Sequence, residues 1–138
     1  MKKFFKMSPR YTIALSVMTL SAVAGQAYAG TITVCPNGSC NFTDPVAAIA
    51  ASAPNDIIEI QAGTYMLGST INITGAGLTG KPLLIRGAVD ASGHPTTVLN
   101  AGGTKQVFNL IALDATTSFE NLVITNGRGD YGGAVFTY

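Results

Sequence analysis

Charged residues are scarce in this chain, at 11% of its 138 residues. Half of the basic ones, Lys2, Lys3, Lys6 and Arg10, precede residue 30, so four basic residues against seven acidic ones follow it. Nucleic acids and anionic lipids bind clustered Lys and Arg side chains, which release counterions. The composition therefore argues against both partners. The abundance of Gly, Thr, Ala and Ile is typical of regular β-structure with tight turns.

Cysteine is also scarce, with two residues in the chain, Cys35 and Cys40, separated by Pro-Asn-Gly-Ser. In an oxidising compartment, cysteines this close are expected to form a disulfide across the turn. A metal site is the alternative, but no second Cys or His pair lies nearby to complete a ligand set. The sequence predicts a Cys35–Cys40 disulfide and no metal site.

The amino terminus has the organisation of an export signal. A basic start is followed by an uncharged stretch over residues 11–25, and Ala27-Tyr28-Ala29 supplies the small residues that a signal peptidase requires. A membrane anchor is the alternative, but the stretch is rich in Ala, Ser, Thr and Gly and no basic stop follows it. We expect cleavage after Ala29, with no membrane span in the mature chain. The expected location is extracellular or on the outer-membrane surface, with the periplasm as an alternative.

Two short β-type segments recur at nearly one interval. The segment at 57–60 (IIEI) is matched by the segment at 83–86 (LLIR), and the segment at 70–73 (TINI) is matched by the segment at 97–100 (TVLN). A repeat as short as this cannot close a core alone and must stack on its copies. The pattern predicts a solenoid. Its register after Ala101 is left open, because the next round starts at either Val107 or Leu122.

One helix is predicted, between Asp44 and Pro54. Asp44 can cap the first turn, and Pro45 suits the first helical position. An apolar stripe follows at i, i+3, i+4 and i+7, formed by Val46, Ile49, Ala50 and Ala53. The remaining segments are predicted as strands separated by glycine-rich or polar turns: strands over 30–34, 57–61, 69–74, 83–86, 96–100, 106–113, 118–125 and 134–138, and turns over 62–65, 75–80 and 87–95.

The segment over residues 53–65, APNDIIEIQAGTY, resembles the entry to right-handed parallel β-helix proteins of the pectate-lyase-like superfold. In that family a P-x-D-x-I-x-[IVL]-x-x-G-x-Y stretch commonly forms the first coil. The resemblance covers about residues 43–138 and implies an all-β fold, a right-handed parallel β-helix with a short amino-terminal capping helix. The implied organisation is a signal peptide over 1–29, a strand, Cys turn and helix over 30–55, and the first coils over 56–138.

A second segment looks like the repeat of polymorphic outer-membrane and related bacterial surface proteins. It begins FENLVITNG at Phe119, and the Gly-Gly-Ala-Val element of those repeats is present as Gly132, Gly133, Ala134 and Val135. Their Phe-x-x-Asn element is matched only in part, because the asparagine here comes two positions after the phenylalanine. Since Tyr138 ends inside an apolar strand and solenoids need an outer cap, we expect the chain to be the front portion of a longer protein.

Asparagines near the predicted turns suggest side-chain stacking between coils. Asn100, Asn109, Asn121 and Asn126 are placed where a ladder of amide hydrogen bonds can form. The alternative is that asparagine is present because it favours turns. Both interpretations stay open.

No catalytic set is recognisable. A polysaccharide lyase would need acidic residues for calcium and a basic residue to take a proton, and a hydrolase would need paired carboxylates. The acidic residues are instead single: Asp44, Asp56, Glu59, Asp90, Asp114, Glu120 and Asp130. Alternation along its strand turns Glu59 outward. His94 lies in a Ser-Gly-His-Pro loop without a recognisable partner, and Arg86 is either a solvated strand end or a ligand for a sugar carboxylate.

The sequence therefore favours a bacterial surface module without a catalytic site or cofactor, structural, adhesive or in contact with a glycan. Its expected partners are a polysaccharide or a host-cell surface protein. Arg128-Gly129-Asp130 spells the tripeptide that integrins bind, but a turn that requires Gly129 is the favoured explanation. The alternative is a polysaccharide lyase or glycoside hydrolase with active residues beyond residue 138. Calcium is expected only in that case.

Overall fold

The computed structural model describes residues 30–74, 83–111, 117–130 and 132–137. The predicted signal peptide, the glycine-rich turn over 75–80, Asp114 and Tyr138 lie outside the described residues. The described part contains one helix, α1, Pro45–Ala51, and ten strands. The strands are β1 Thr31–Val34, β2 Ile57–Ile60, β3 Gly63–Met66, β4 Ile71–Thr74, β5 Leu84–Gly87, β6 Thr97–Asn100, β7 Phe108–Ile111, β8 Ser118–Glu120, β9 Leu122–Thr125 and β10 Val135–Thr137.

The strands form three sheets in which every strand pair is parallel. The first sheet has the order β1-β2-β5-β8, the second β3-β6-β9 and the third β4-β7-β10. From β2 to β10 the chain visits the first, second and third sheets in turn and completes this order three times. The predicted all-β class, with one short helix, is confirmed.

The register of the first predicted repeat is wrong by one residue. The sequence aligned Ile57 with Leu83, whereas β2 pairs Ile57 with Leu84 and Ile58 with Ile85. A one-residue slip would turn each side chain to the opposite face of the sheet. The observed register keeps Ile58 and Ile85 together in the core, where both are fully buried.

The second predicted repeat is wrong, because residues 70–73 and 97–100 belong to different sheets. β4 pairs with β7, and β6 pairs with β3. The error came from residues 62–65, predicted to be a turn, since Gly63 begins the strand that carries the buried Tyr65. The Tyr65 hydroxyl donates to Val34 O (3.2 Å) and Gln61 O (3.0 Å), and burial raises its pKa.

The segment predicted as one strand over residues 118–125 is two strands in different sheets. Asn121 separates β8 from β9 and has a positive φ of 56°. A left-handed residue turns the chain sharply, and asparagine tolerates this conformation better than most residues. The chain therefore passes from the first sheet to the second across a single residue.

The core lies between the three sheets and contains the inward-facing side chains of successive strands. Its members are Val34, Ile58, Ile60, Tyr65, Leu67, Ile71, Ile73, Leu83, Ile85, Leu99, Ala101, Val107, Phe108 and Leu110, with Ala48 and Ile49 from the helix. Burial of each large aliphatic or aromatic side chain contributes about 1.5–3 kcal/mol before chain entropy is subtracted. Because neighbouring strands share this cluster, no single round of strands has a core of its own.

Helix α1 begins as predicted and uses a different apolar face. The Asp44 carboxylate accepts from Val46 N at 2.9 Å, and Pro45 is the first helical residue. The buried residues are Pro45, Ala48 and Ile49, whereas Ala50 and Ala53 of the predicted stripe are exposed. The face shifted because the helix ends at Ala51 and packs against β1, β2 and β4.

Gly87 is a strand residue and not the first residue of a loop. It ends β5 with its α-carbon facing the core. A methyl group there would lie 2.8 Å from Thr97 Cβ and would overlap the carbonyl of Asn121. The adjoining loop is closed by an antiparallel bridge between Val89 and Pro95. Only glycine permits this close approach of β5 to the turn after β8.

Candidate functional site

Three charged side chains form a row across the outer face of the first sheet. Arg86 Nε lies 2.8 Å from Glu120 Oε2, and Arg86 Nη1 lies 4.0 Å from Glu59 Oε1. The parallel register places the three residues opposite one another on β2, β5 and β8. The prediction that Glu59 faces outward is confirmed. Arg86 lies next to the end of β5 between two carboxylates, and 42% of its side chain is exposed, so both interpretations given for it stay open.

This row has the chemistry of cross-strand stabilisation. A guanidinium between two carboxylates offsets their charges and occupies an oxygen of Glu120 by a hydrogen bond. Between 41% and 45% of each side chain is exposed, so water weakens both ion pairs. In the sequence these acidic residues look scattered. Their proximity depends on the strand register, and the register predicted from the repeat was wrong by one residue.

A groove of about 370 Å³ lies beside the third sheet, and we call it the third-sheet groove. Its polar lining includes Lys105, Asn109, Arg128 and Asp130, and the Phe136 ring adds an apolar surface. These residues come from β7, β10 and the loops that precede them. The groove thus combines two cations, a carboxylate, an amide and an aromatic ring.

Backbone contacts bring the predicted tripeptide Arg128-Gly129-Asp130 to the groove. Arg128 N donates to Lys105 O at 2.7 Å, and all three residues are exposed. Gly129 lies against Gln106, where an added methyl group would be 2.6 Å from the Gln106 side chain. A larger residue at position 129 would therefore have to displace the Gln106 side chain. The tripeptide was recognisable in the sequence, but the strand β7 that lies beside it was not.

Lys105 is fixed at the rim of the groove by backbone carbonyls. Its Nζ donates to Leu67 O at 3.2 Å and to Ala101 O at 3.5 Å. These hydrogen bonds hold the positive charge of the ammonium at a defined position. Because the Lys105 side chain is already ordered, a ligand that binds near it costs little further side-chain entropy. No pattern in the sequence indicated that Lys105 would line a groove.

Asn109 contributes an amide that is only half satisfied. Its Nδ2 donates to Asn72 Oδ1 at 2.9 Å, one strand away, while its Oδ1 is buried and has no hydrogen-bond partner in the described part of the chain. Because Oδ1 is closed to solvent, the part that Asn109 plays in the groove is that of a lining side chain and not of an accessible acceptor.

The predicted asparagine ladder is confirmed for one pair. Asn126 Nδ2 donates to Asn100 Oδ1 at 3.1 Å, whereas Asn109 stacks on Asn72, which was not in the predicted set. Asn121 and Asn126 have positive φ angles of 56° and 52°. Both side-chain stacking and turn formation thus explain why asparagine occurs at these positions. Asn126 does both, since it bonds to Asn100 and has a positive φ.

His94 has an acidic partner that the sequence analysis missed. Its Nδ1 lies 3.4 Å from Asp90 Oδ2, four positions earlier. The backbone N–H of His94, with that of Ser92, donates to the Asp90 carboxylate and lowers the pKa of this carboxyl. These bonds close an exposed loop on itself, so the pair has a structural explanation.

The cysteine and glycine motifs have structural roles. Cys35 and Cys40 form the predicted disulfide, with their α-carbons 5.5 Å apart. In the Gly-Gly-Ala-Val element, Gly132 has a φ of 133° and Gly133 lies against Gly127. Ala134 O accepts from Val107 N and Phe108 N at 3.0 Å, which joins the element to β7.

Within the described residues, no three His, Cys, Asp or Glu side chains gather as a metal-ligand set.

Comparisons of the chain with protein families, curated proteins and solved structures found no match. In the described part of the chain, no helix has the length and hydropathy to cross a lipid bilayer.

Proposed function

We propose that this chain is part of an exported bacterial protein, that its strands form the first coils of a right-handed parallel β-helix, and that the third-sheet groove binds an acidic polysaccharide without catalysing a reaction. The single observation that carries the binding proposal is the composition of this groove. Two of the four basic residues that follow residue 30, Lys105 and Arg128, line it.

The order in which the chain visits its sheets supports the β-helix. From β2 onward, each sheet gains its next strand only after the chain has passed through the other two. In the first sheet, Thr31 pairs with Ile57 and Ile57 pairs in turn with Leu84, so the first two rounds have nearly the same length. Parallel strands joined by crossover connections are right-handed in about 98% of known cases, which supports the proposed hand.

The chemistry of the groove supports an acidic sugar as ligand. Arg128 can pair with a carboxylate through a planar fork, and Lys105 adds a second positive charge. The Phe136 side chain adds an apolar part to the lining of the groove. Asp130 can accept from further hydroxyls. A polyhydroxylated carboxylate presents all of these complementary groups together.

Affinity electrophoresis tests this function directly. The exported protein is run through gels that contain either polygalacturonate or an uncharged galactan. We expect retardation by the acidic polymer only, and a several-fold weaker retardation for Arg128→Gln, because a charge-assisted contact is lost. Arg86→Gln is the matched control, since it removes an equal charge from the first sheet. Equal retardation of the two variants, or of the protein by both polymers, would contradict the proposal.

A second candidate is the amino-terminal part of a polysaccharide lyase or glycoside hydrolase. The observation that favours it is the row Glu59–Arg86–Glu120, which places acidic residues on successive strands around a basic one. In this case the active residues would lie beyond residue 138. Release of unsaturated or reducing sugars by the complete gene product would favour this candidate.

A further inference from the structure

The start of β1 is attached to the start of β2 through one buried carboxylate. Gly30 N donates to Asp56 Oδ1 at 2.8 Å, and Ala53 N donates to Asp56 Oδ2 at 2.7 Å. Asp56 therefore links the first residue before β1 with the segment that follows helix α1. A side chain on Gly30 would crowd this contact, because its Cβ would lie 3.1 Å from Asp56 Oδ1.

Among the described residues, Asp56 lacks the cation that a buried carboxylate ordinarily has. The residue is only 8% exposed, and within the described part of the chain no Lys, Arg or His side chain forms an ion pair with it. Buried charges in proteins are usually paired, because desolvation penalises an isolated one. The two backbone N–H groups give each oxygen atom a hydrogen bond, but they bring no positive charge to the carboxylate.

The sequence places the predicted cleavage site immediately before the nitrogen atom that contacts Asp56. Ala27-Tyr28-Ala29 has the small residues that a signal peptidase requires, and the bond it would cut joins Ala29 to Gly30. Hydrolysis adds water across this amide. The hydroxyl goes to the Ala29 carbonyl carbon, and the nitrogen of Gly30 leaves as an amine that takes up protons to become an ammonium.

We propose that cleavage after Ala29 creates the missing counterion, so that the α-ammonium of Gly30 forms an ion pair with Asp56 and fastens the first strand to the rest of the fold. The proposal rests on the export part of the proposed function. The ammonium would replace a single neutral N–H with three charged donors at the same position, and charge-assisted hydrogen bonds are the stronger ones. Processing would thereby stabilise the fold of the released chain.

Intact-mass spectrometry of the exported protein tests the cleavage site. The expected mass is that of residues 30–138 with the disulfide formed. A cytosolic and uncleaved chain would overturn export and this inference together. An exported chain that begins at another residue would overturn this inference alone.

A thermodynamic cycle tests the ion pair. Cyanate at mildly acidic pH carbamylates the α-amine in preference to lysine, because the α-amine has the lower pKa. We expect this neutralisation to lower the urea midpoint of the exported protein and to shift its unfolding equilibrium constant by about tenfold, near the lower end of what a hydrogen bond to a charged group contributes. In Asp56→Asn the same reaction should shift the midpoint little.

Asp44→Asn is the matched control, because it removes an acidic residue that caps the helix and does not contact Gly30. Its midpoint should respond to carbamylation as the unsubstituted protein does. Equal responses of the unsubstituted and Asp56→Asn proteins would overturn the ion pair. If Asp56→Asn does not fold, the unsubstituted protein decides the matter, since an unchanged midpoint after carbamylation overturns the proposal by itself.

Discussion

Thr97 is a buried polar residue in an otherwise apolar core. Its side chain is fully buried, and its Oγ1 donates to Ile60 O at 2.9 Å and accepts from Ala88 N at 2.8 Å. These bonds join the start of β6 to the ends of β2 and β5. A single hydroxyl thus satisfies backbone groups where the chain leaves the first sheet and where it enters the second.

Replacement of Thr97 by Val preserves the shape of the side chain and removes these hydrogen bonds. We expect Thr97→Val to lower the free energy of unfolding by about 1 kcal/mol, because buried polar groups lose a partner. Urea denaturation followed by circular dichroism measures the change. Thr64→Val, at an exposed position of β3, is the control and should have little effect. Equal stabilities of the two variants would contradict the role assigned to Thr97.

Residues with local roles were predictable from the sequence, and residues with long-range roles were not. The Asp44 cap and the Cys35–Cys40 disulfide depend on neighbours within a few positions, and both predictions were correct. Thr97 and Lys105 bond to the distant carbonyls of Ile60 and Leu67, so their roles depend on the strand register. Composition and spacing carry no information on such contacts until the register is known.

At the scale of elements, the connections between strands vary while the strands keep nearly one length. Thr31 pairs with Ile57, whereas Ile71 pairs with Phe108, which lies much farther along the chain from its partner. A sequence repeat of fixed period therefore aligned the wrong partners for β4 and β6. Hydrophobic alternation identified most strands, but it could not show which of the three sheets each strand joins.

The charged row of the first sheet joins three elements and should contribute modestly. We expect Arg86→Gln to lower the free energy of unfolding by about 0.5 kcal/mol at low salt, because the ion pairs are half exposed. The loss should nearly disappear at about 1 M NaCl, where exposed charges are screened within about 3 Å. Paired urea denaturations at the two salt concentrations measure it.

Arg128→Gln is the control for this experiment, since Arg128 forms no ion pair with another described residue. Its effect on stability should be small at both salt concentrations. Suppose instead that Arg86→Gln lowers the free energy of unfolding by more than about 2 kcal/mol at both salt concentrations. The packing of the Arg86 side chain, rather than its charge, would then account for the stability that the row contributes.

At the scale of the whole molecule, the three sheets enclose one core and present three separate outer faces. The first carries the charged row, and the third borders the groove with Lys105 and Arg128. The last strands are more open, since Phe119 and Val135 are 37% and 40% exposed. The proposed polysaccharide site therefore uses side chains from successive strands, which no single repeat contains.

The all-β class followed from the sequence and the parallel strands from the resemblance, but the third-sheet groove followed from neither. The tripeptide Arg128-Gly129-Asp130 was recognised as a motif, while its neighbours Lys105 and Asn109 were not recognised as a site. They meet only because β7 lies beside β4 and β10 in the third sheet. This arrangement depends on the connections, and the sequence left the register after Ala101 open.

The parallel, in-register stacking of strands is the claim on which the rest depends, and engineered disulfides test it most directly. In the structure Thr64 of β3 lies beside Val98 of β6. Neighbouring strands are about 4.8 Å apart, which suits a disulfide. We predict that a chain with Thr64→Cys and Val98→Cys cross-links on mild oxidation, as mapped by mass spectrometry with the native disulfide retained. If β2 and β3 instead formed an antiparallel hairpin, Glu59 would face Thr64, so cross-linking of Glu59→Cys with Thr64→Cys, and none between positions 64 and 98, would contradict the account.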